Sequence, residues 1–533
     1  MKLKIAFPSL EVYEEWLSIK TYKMERSRII LCSAIILYGL LFSVLTIFRF
    51  YAFRTRAWDL GIFTQSLWTT AYAGKFLYHT CELFINPSGV FFGVHFSPIL
   101  FFVLPFYWAV PRPETLLVLQ SFVIGSAAIP IYKLAKEYAG GRIVGLVFAV
   151  AYLVYPATQY VNMYDFHVQA FLPLFFTFAI YYATKEDWSK YFVFILFSLM
   201  CEEHVAFIVF FVGVYIAWKY RIQVISIIKS RERPKTGLII AFATMIIGVV
   251  WYWFTLWQRD TFFPTNPAAM EEFLGSGNFG ILGAKSPLEV PIAAILHPLR
   301  AIQSLTYDGQ LKLLYLLLLF GPLAFYSIKA SSVLIPTISW FGLSFFSQAS
   351  AHHVLGHQYE AYVASFIFAA AIFGLRKNFL KKTMLKNIGN SLKKIVLLSL
   401  MFSLVASPLS PVINVLFPSS IYFQIGEHER MLSETIDKVP SNASILTQDN
   451  LFPQVSHRTN SYVVPAIFLN SNIRDIVIEF INRTLDTVDY VLLDNKTDSI
   501  STSFILSLLA TKPSFALIIS EDSETILLYQ RNP

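Results

Sequence analysis

The chain has 533 residues, 56% of them hydrophobic and only 14% charged, with a net charge of +8. Soluble domains carry about a quarter charged residues, so a water-soluble enzyme is excluded and a polytopic membrane protein is expected. The positive balance does not point to nucleic acid, because the basic residues sit in connections beside apolar stretches, where membrane orientation uses them.

Residues 1–28 are charged and amphipathic and lack a small-residue cleavage site, so they are expected to remain as a cytoplasmic segment ahead of the first span. A span needs about 20 apolar residues, fewer where a segment crosses only partly. The expected spans are 29–48, 115–132, 143–160, 168–183, 190–201, 205–218, 237–257, 312–328, 331–348, 360–375 and 395–416, about 11 transmembrane helices within a domain at 29–416. Lys and Arg crowd the connections 133–142, 184–190, 219–236 and 376–394, which places those in the cytoplasm. The connections 49–114, 161–167, 202–204, 258–311 and 349–359 then face out, as does the tail, and all 10 histidines fall there. The stretch 91–110 is long enough to cross, but Pro98 and Pro105 interrupt it, so it reads as re-entrant or interfacial. Cys32, Cys81 and Cys201 are dispersed and give neither a disulfide framework nor zinc spacing.

Composition turns polar after Pro418, and 417–533 is expected to form a small extracytoplasmic α/β domain with a partly parallel sheet. Helices are expected at 427–439, 473–485 and 502–510, and strands at 444–447, 488–494, 515–520 and 525–530. No Gly-rich phosphate loop occurs in it, and its polar loop 449–458 is expected to face the membrane site.

Four ionisable clusters interrupt the apolar chain: Trp58-Asp59 with His95, Tyr164 to His167, Glu202-Glu203-His204, and His352-His353 through His357 to Glu360. Ionisable groups near spans are costly and point to function. Asp59 reads either as a general base just outside the bilayer or as a cap for a helix over about 60–73. Arg49, Arg54 and Arg56 either offer forked donors to a lipid-surface phosphate or snorkel at a helix end. Asp165 and His167, two apart in a short turn, suit a dyad or a shared metal. Glu202, Glu203 and His204 lie between two half-spans of 12 and 14 residues, and a hairpin dipping to an outward cavity places them better than one long helix. His353 and His357, spaced as on one helical turn, can either ligate a metal or remain interfacial histidines.

At Trp58 to Gln65, His95 to Pro98, Tyr164 to His167, Glu202 to His204 and Asn450 to Pro453, the chain resembles an uncharacterised prokaryotic membrane-protein family, domain-of-unknown-function family 2079. It looks like a remote member of the GT-C glycosyltransferase superfamily, whose members move sugars from polyprenyl-phosphate donors on the outer membrane face. An acid in the first outer loop is the usual catalytic or metal-binding residue there, and Asp59 matches it by position. The Glu-Glu-His motif departs from the Lys-containing motif of the protein-mannosylating and lipid-A-modifying branches. The resemblance implies a multi-pass plasma-membrane glycosyltransferase, with the lipid bilayer and a polyprenyl-phosphate sugar as partners and a divalent metal such as Mg or Mn as cofactor. Asp59, Glu202, Glu203 and His204 are expected to be catalytic, and Arg54, Arg56, Trp58, Gln65, His95, Asp165, His167 and Asn450 to bind substrate. A transporter or flippase, and a non-catalytic envelope protein, are the alternatives.

Overall fold

The computed structural model describes residues 10–221, 236–379, 384–412 and 425–532. Parts of the expected N-terminal segment, of the basic connections 219–236 and 376–394, of the span 395–416 and of the start of the tail lie outside the described residues.

The membrane region is helical. Among the described residues, four helices are long and apolar enough to cross a bilayer: Arg26–Tyr51, Pro113–Tyr138, Thr236–Phe262 and Ile388–Ala406. Two bent pairs bring the number to as many as six: Arg142–Leu153 with Pro156–Met163, bent by 44°, and Gly309–Leu323 with Tyr326–Ser344, bent by 115°. The first bend falls where Pro156 starts a new helix, as the ring's missing N–H requires. At the second, the backbone passes through left-handed Ala324 and Phe325, so 312–328 and 331–348 are not two straight helices.

Helix Leu100–Ala109 has 10 residues and contains Pro105. At 1.5 Å per residue it spans about half of a 30 Å hydrocarbon core, which suits a re-entrant element. The 190–218 region is broken, as a hairpin requires: one helix ends at Leu199 and the next begins at Val205. Helix Val205–Lys219 packs tightly along Thr236–Phe262, and Gly213 and Gly248 permit the close approach. A Cβ on Gly248 would lie 2.7 Å from the Ala206 carbonyl oxygen.

The tail carries helices Glu427–Asp437, Arg474–Leu485 and Ser499–Leu509 and a five-stranded sheet. Its strands are β1 (Ile445–Thr447), β2 (Ser461–Val463), β3 (Tyr490–Asp494), β4 (Phe515–Glu521) and β5 (Ile526–Arg531), in the order β2-β1-β3-β5-β4. β1 pairs in parallel with β2 and β3, while β5 pairs antiparallel with β3 and β4. The three-residue β2 and the short helix Phe452–Val455 were not expected from the sequence.

The tail is wedged into the membrane region. Phe452 joins the apolar cluster that contains Ala57, Leu60 and the membrane helices. Phe84, Ile85, Ala269 and Met270 from the connecting loops join the tail's own core with Leu446, Val464 and Val491.

Candidate active site

Asp59 sits on a π-turn. Gly61 N donates to the Arg56 carbonyl at 3.0 Å, five residues back, and helix Ile62–Tyr72 follows directly. Such widened turns recur at functional sites because they re-aim a side chain. Asp59 is therefore not a helix cap: the turn's N-cap is Arg56, and no side chain caps it.

Asp59 Oδ1 lies 2.8 Å from His167 Nε2, and the Tyr164 hydroxyl donates to Oδ2 at 3.2 Å. Burial opposes ionisation of Asp59, but the His167 imidazolium, the Tyr164 hydroxyl and Arg49 outweigh it and hold the carboxyl below its usual 3.8. Burial likewise opposes the His167 charge, and Asp59 outweighs it, raising His167 above 6.5.

Helix Pro113–Ser126 positions His167. Gln120, a lone amide in an apolar helix, accepts from His167 N at 2.8 Å and donates to the Asp165 carbonyl at 3.0 Å. Asp165 supports this from behind the site, accepting from Arg56 N at 2.6 Å and pairing with Arg49 at 3.4 Å. Burial is the larger influence and lifts its carboxyl to about 6, against the pull of Arg49.

The second group forms where the loop 95–99 meets the break before Val205. Ile99 N donates to the Met200 carbonyl at 2.9 Å, and Phe96 N donates to Glu203 Oε2 at 3.0 Å. Glu203 Oε1 faces His95 Nδ1 at 3.3 Å and His204 Nδ1 at 3.5 Å. Burial works against the Glu203 charge, but His95 and His204 bring its carboxyl to about 2. Burial also works against a charged His95, and Glu203, Glu82 and Glu202 raise it to about 9. Glu202 accepts a short hydrogen bond from the Tyr362 hydroxyl.

Sequence reasoning missed two members, Glu82 and His79. Burial lifts Glu82 to about 7 and depresses His79 to about 3, so their 3.5 Å contact joins two groups that favour neutrality. An acid beside Cys81 in the loop 49–114 was the available signal.

Both groups open on one cavity of about 710 Å³. Asp59, His167, Glu82, His95, Glu202 and His204 line its polar side, and Phe207 and Phe211 of helix Val205–Lys219, with Leu288, Val290 and Phe346, form the apolar remainder. Trp58 Nε1, Gln169 Oε1 and Ser97 Oγ line it too and have no hydrogen-bond partner in the protein. Among the described residues lining it there is no Lys or Arg.

Several expected residues lie elsewhere. Arg56 does not line the cavity and pairs with Asp449 at 3.0 Å, while Ala57 N donates to the other Asp449 oxygen at 2.7 Å. Arg54 also stands outside the lining, its carbonyl accepting from Arg49 Nε at 3.0 Å. Gln65 is buried as a clamp, donating to the Arg458 carbonyl at 2.9 Å and accepting from Thr80 N at 2.8 Å. Asn450 is buried in the tail and reaches Asp494 at 3.4 Å. The loop 449–458 does face the membrane region, but as a joint: Ser456 accepts from Thr64 at 2.8 Å, and His457 bonds Tyr107 at 2.6 Å.

The expected metal pair His353 and His357 does not form. The helical turn ends at His353, and Gly356 at φ +132° carries an irregular backbone to His357. His353 is buried against Asp308 at 3.4 Å, whereas His357 packs on the Tyr164 ring at 5.1 Å. His352 reaches the cavity wall, its Nδ1 2.8 Å from Ser347 Oγ.

The class defined by this fold is a multi-span helical membrane protein with an acid- and histidine-lined cavity beside a docked α/β tail. A family model described as "Predicted membrane protein (DUF2079)" matches residues 49–512, and the chain belongs to that family. No curated protein matches it. Among solved structures, one similar chain is an oligosaccharyltransferase of Archaeoglobus fulgidus, tethered with an acceptor peptide containing the NVT sequon via a disulfide bond. It has 11% identity and a TM-score of 0.41, and the match covers 94% of this chain and 74% of that one.

Proposed function

We propose that this protein is a membrane glycosyltransferase that moves a sugar from a polyprenyl-phosphate donor to an acceptor hydroxyl. The observation that carries the reading is the divided cavity. Its polar side presents an Asp59–His167 pair and unspent donors and acceptors, and its apolar side continues along membrane helices. An amphipathic ligand with a sugar at one end and an isoprenoid at the other matches that division.

In the reaction, the acceptor oxygen attacks the sugar C1 as the C1–O bond to phosphate breaks, with inversion. Asp59 takes the acceptor proton, and the polyprenyl phosphate leaves with the bonding pair. His167 and Tyr164 orient Asp59, while His204 and Gln169 bond the sugar or its phosphate. A positioned base contributes about 10²–10⁴ in rate. Arg54 and Arg56 have no phosphate-binding role in this reading. Its membrane arrangement has eleven crossings or partial crossings, a cytoplasmic N-terminus, and the cavity and tail outside the plasma membrane.

The test is to incubate purified protein in lipid nanodiscs with radiolabelled polyprenyl-phosphate sugars and envelope acceptors. Label transfer by the native protein, abolished in Asp59→Asn, is expected. Absence of transfer with every donor, or full activity in Asp59→Asn, refutes the assignment.

A further inference from the structure

The second group of the site brings an imidazole and two carboxylates together. His95, Glu202 and Glu203 each present one ligating atom, and those atoms all lie within 4.8 Å of one another. Metal–ligand bonds of about 2.0–2.2 Å bring such atoms together around one ion after small side-chain rotations.

The protein has prepared them. Phe96 N fixes one Glu203 oxygen and leaves the other toward His95, and the Tyr362 hydroxyl fixes Glu202. Outer partners of this kind orient ligands in metal centres.

A further buried acid adjoins this group. Glu82 lines the same cavity with its side chain 1% exposed, and its Oε2 accepts no hydrogen bond. That oxygen lies 3.5 Å from Nε2 of His79, which does not line the cavity and lacks a hydrogen bond at either ring nitrogen. Among the described residues lining the cavity there is no Lys or Arg, so histidines and a bound ion are the partners open to these carboxylates.

We propose that His95, Glu202 and Glu203, with Glu82 as a fourth donor, form a divalent transition-metal site distinct from the Asp59–His167 pair. One imidazole with two or three carboxylates suits Mn²⁺ or Zn²⁺ better than Mg²⁺ or Ca²⁺, which prefer all-oxygen shells. The site stands independently of the transferase reading, because it follows from ligand geometry alone.

Full-length protein in nanodiscs, stripped with chelator and titrated with Mn²⁺, tests this by electron paramagnetic resonance. We expect one tightly bound Mn²⁺ whose echo modulation shows coupling to a single histidine nitrogen. Glu203→Gln and Glu202→Gln weaken binding at least tenfold, and His95→Gln removes the nitrogen coupling. Glu82→Gln weakens binding less, and Asp59→Asn leaves it intact. Absence of bound Mn²⁺ and Zn²⁺ in native protein overturns the proposal, as does bound Mn²⁺ without nitrogen coupling. The native-protein arms hold even if a variant fails to fold, and none requires sugar transfer. Binding without transfer therefore overturns the transferase reading alone, and transfer without binding overturns the metal site alone.

Discussion

The two ends of the cavity solve the problem of a buried carboxylate differently. At the first, Asp59 has His167 on one oxygen and Tyr164 on the other, and the tail braces the turn that carries it. At the second, Glu203 faces His95 and His204, Glu202 accepts from Tyr362, and Glu82 Oε2 lies 3.5 Å from His79 without a hydrogen bond. The first end is internally complete, which suits the proposed role of Asp59 as a base that must hold its orientation. The second gains a further partner in the proposed cation. Ionisable residues of one composition thus carry different roles, set by how many partners the fold supplies.

The largest expected effect falls on the first end. Asp59→Asn should lower transfer by about 10²–10⁴ without changing Mn²⁺ uptake at the other end. An equal loss of both would show that the ends are one site.

Phe452→Ala should cost about 3–5 kcal/mol of apparent stability, since a fully buried ring shared between tail and membrane region leaves a cavity. Thermal unfolding in detergent reads this, and transfer should fall more than Mn²⁺ affinity, because Phe452 packs beside Ala57 and Leu60. A smaller loss, about 1–3 kcal/mol, is expected for Asp449→Ala, which strands the Ala57 N–H and Arg56. If tail substitutions depress metal binding as much as transfer, the tail does not brace the Asp59 end selectively.

The smallest effect is a pH dependence. His167 has a raised pKa in the folded protein, so its contribution is complete below 6.5 and is lost as pH rises through the raised value. Asp59 has a lowered one, so its contribution is present above 3.8 and is lost as pH falls through the lowered value. The melting-temperature gap between native protein and Asp59→Asn should be widest between those limits and narrow toward alkaline pH. A gap that grows with alkalinity would contradict the ion pair.

Much of this was legible in the chain because membrane composition and periodicity are local properties. The break between Leu199 and Val205 follows from carboxylates that a continuous span would bury, and the tail's three main helices and four of its strands follow from their patterns. The errors are long-range. Arg56 looks like a phosphate ligand until Asp449, nearly 400 residues later, takes its guanidinium. Gln65 and Asn450 look like substrate contacts until burial makes them clamps. The i, i+4 spacing of His353 and His357 presumes a helix, which Gly356 breaks. Gln120 carries no local motif and Glu82 only the cysteine beside it, and tertiary folding brings both to the site.

The most direct test of the central claim is an electron-microscopy structure of the protein with a bound polyprenyl-phosphate sugar. Sugar and phosphate density is expected between Asp59 and Glu202, with the isoprenoid along Phe207, Phe211 and Leu288. Lipid density confined to another surface, with the cavity closed to it, would contradict that claim.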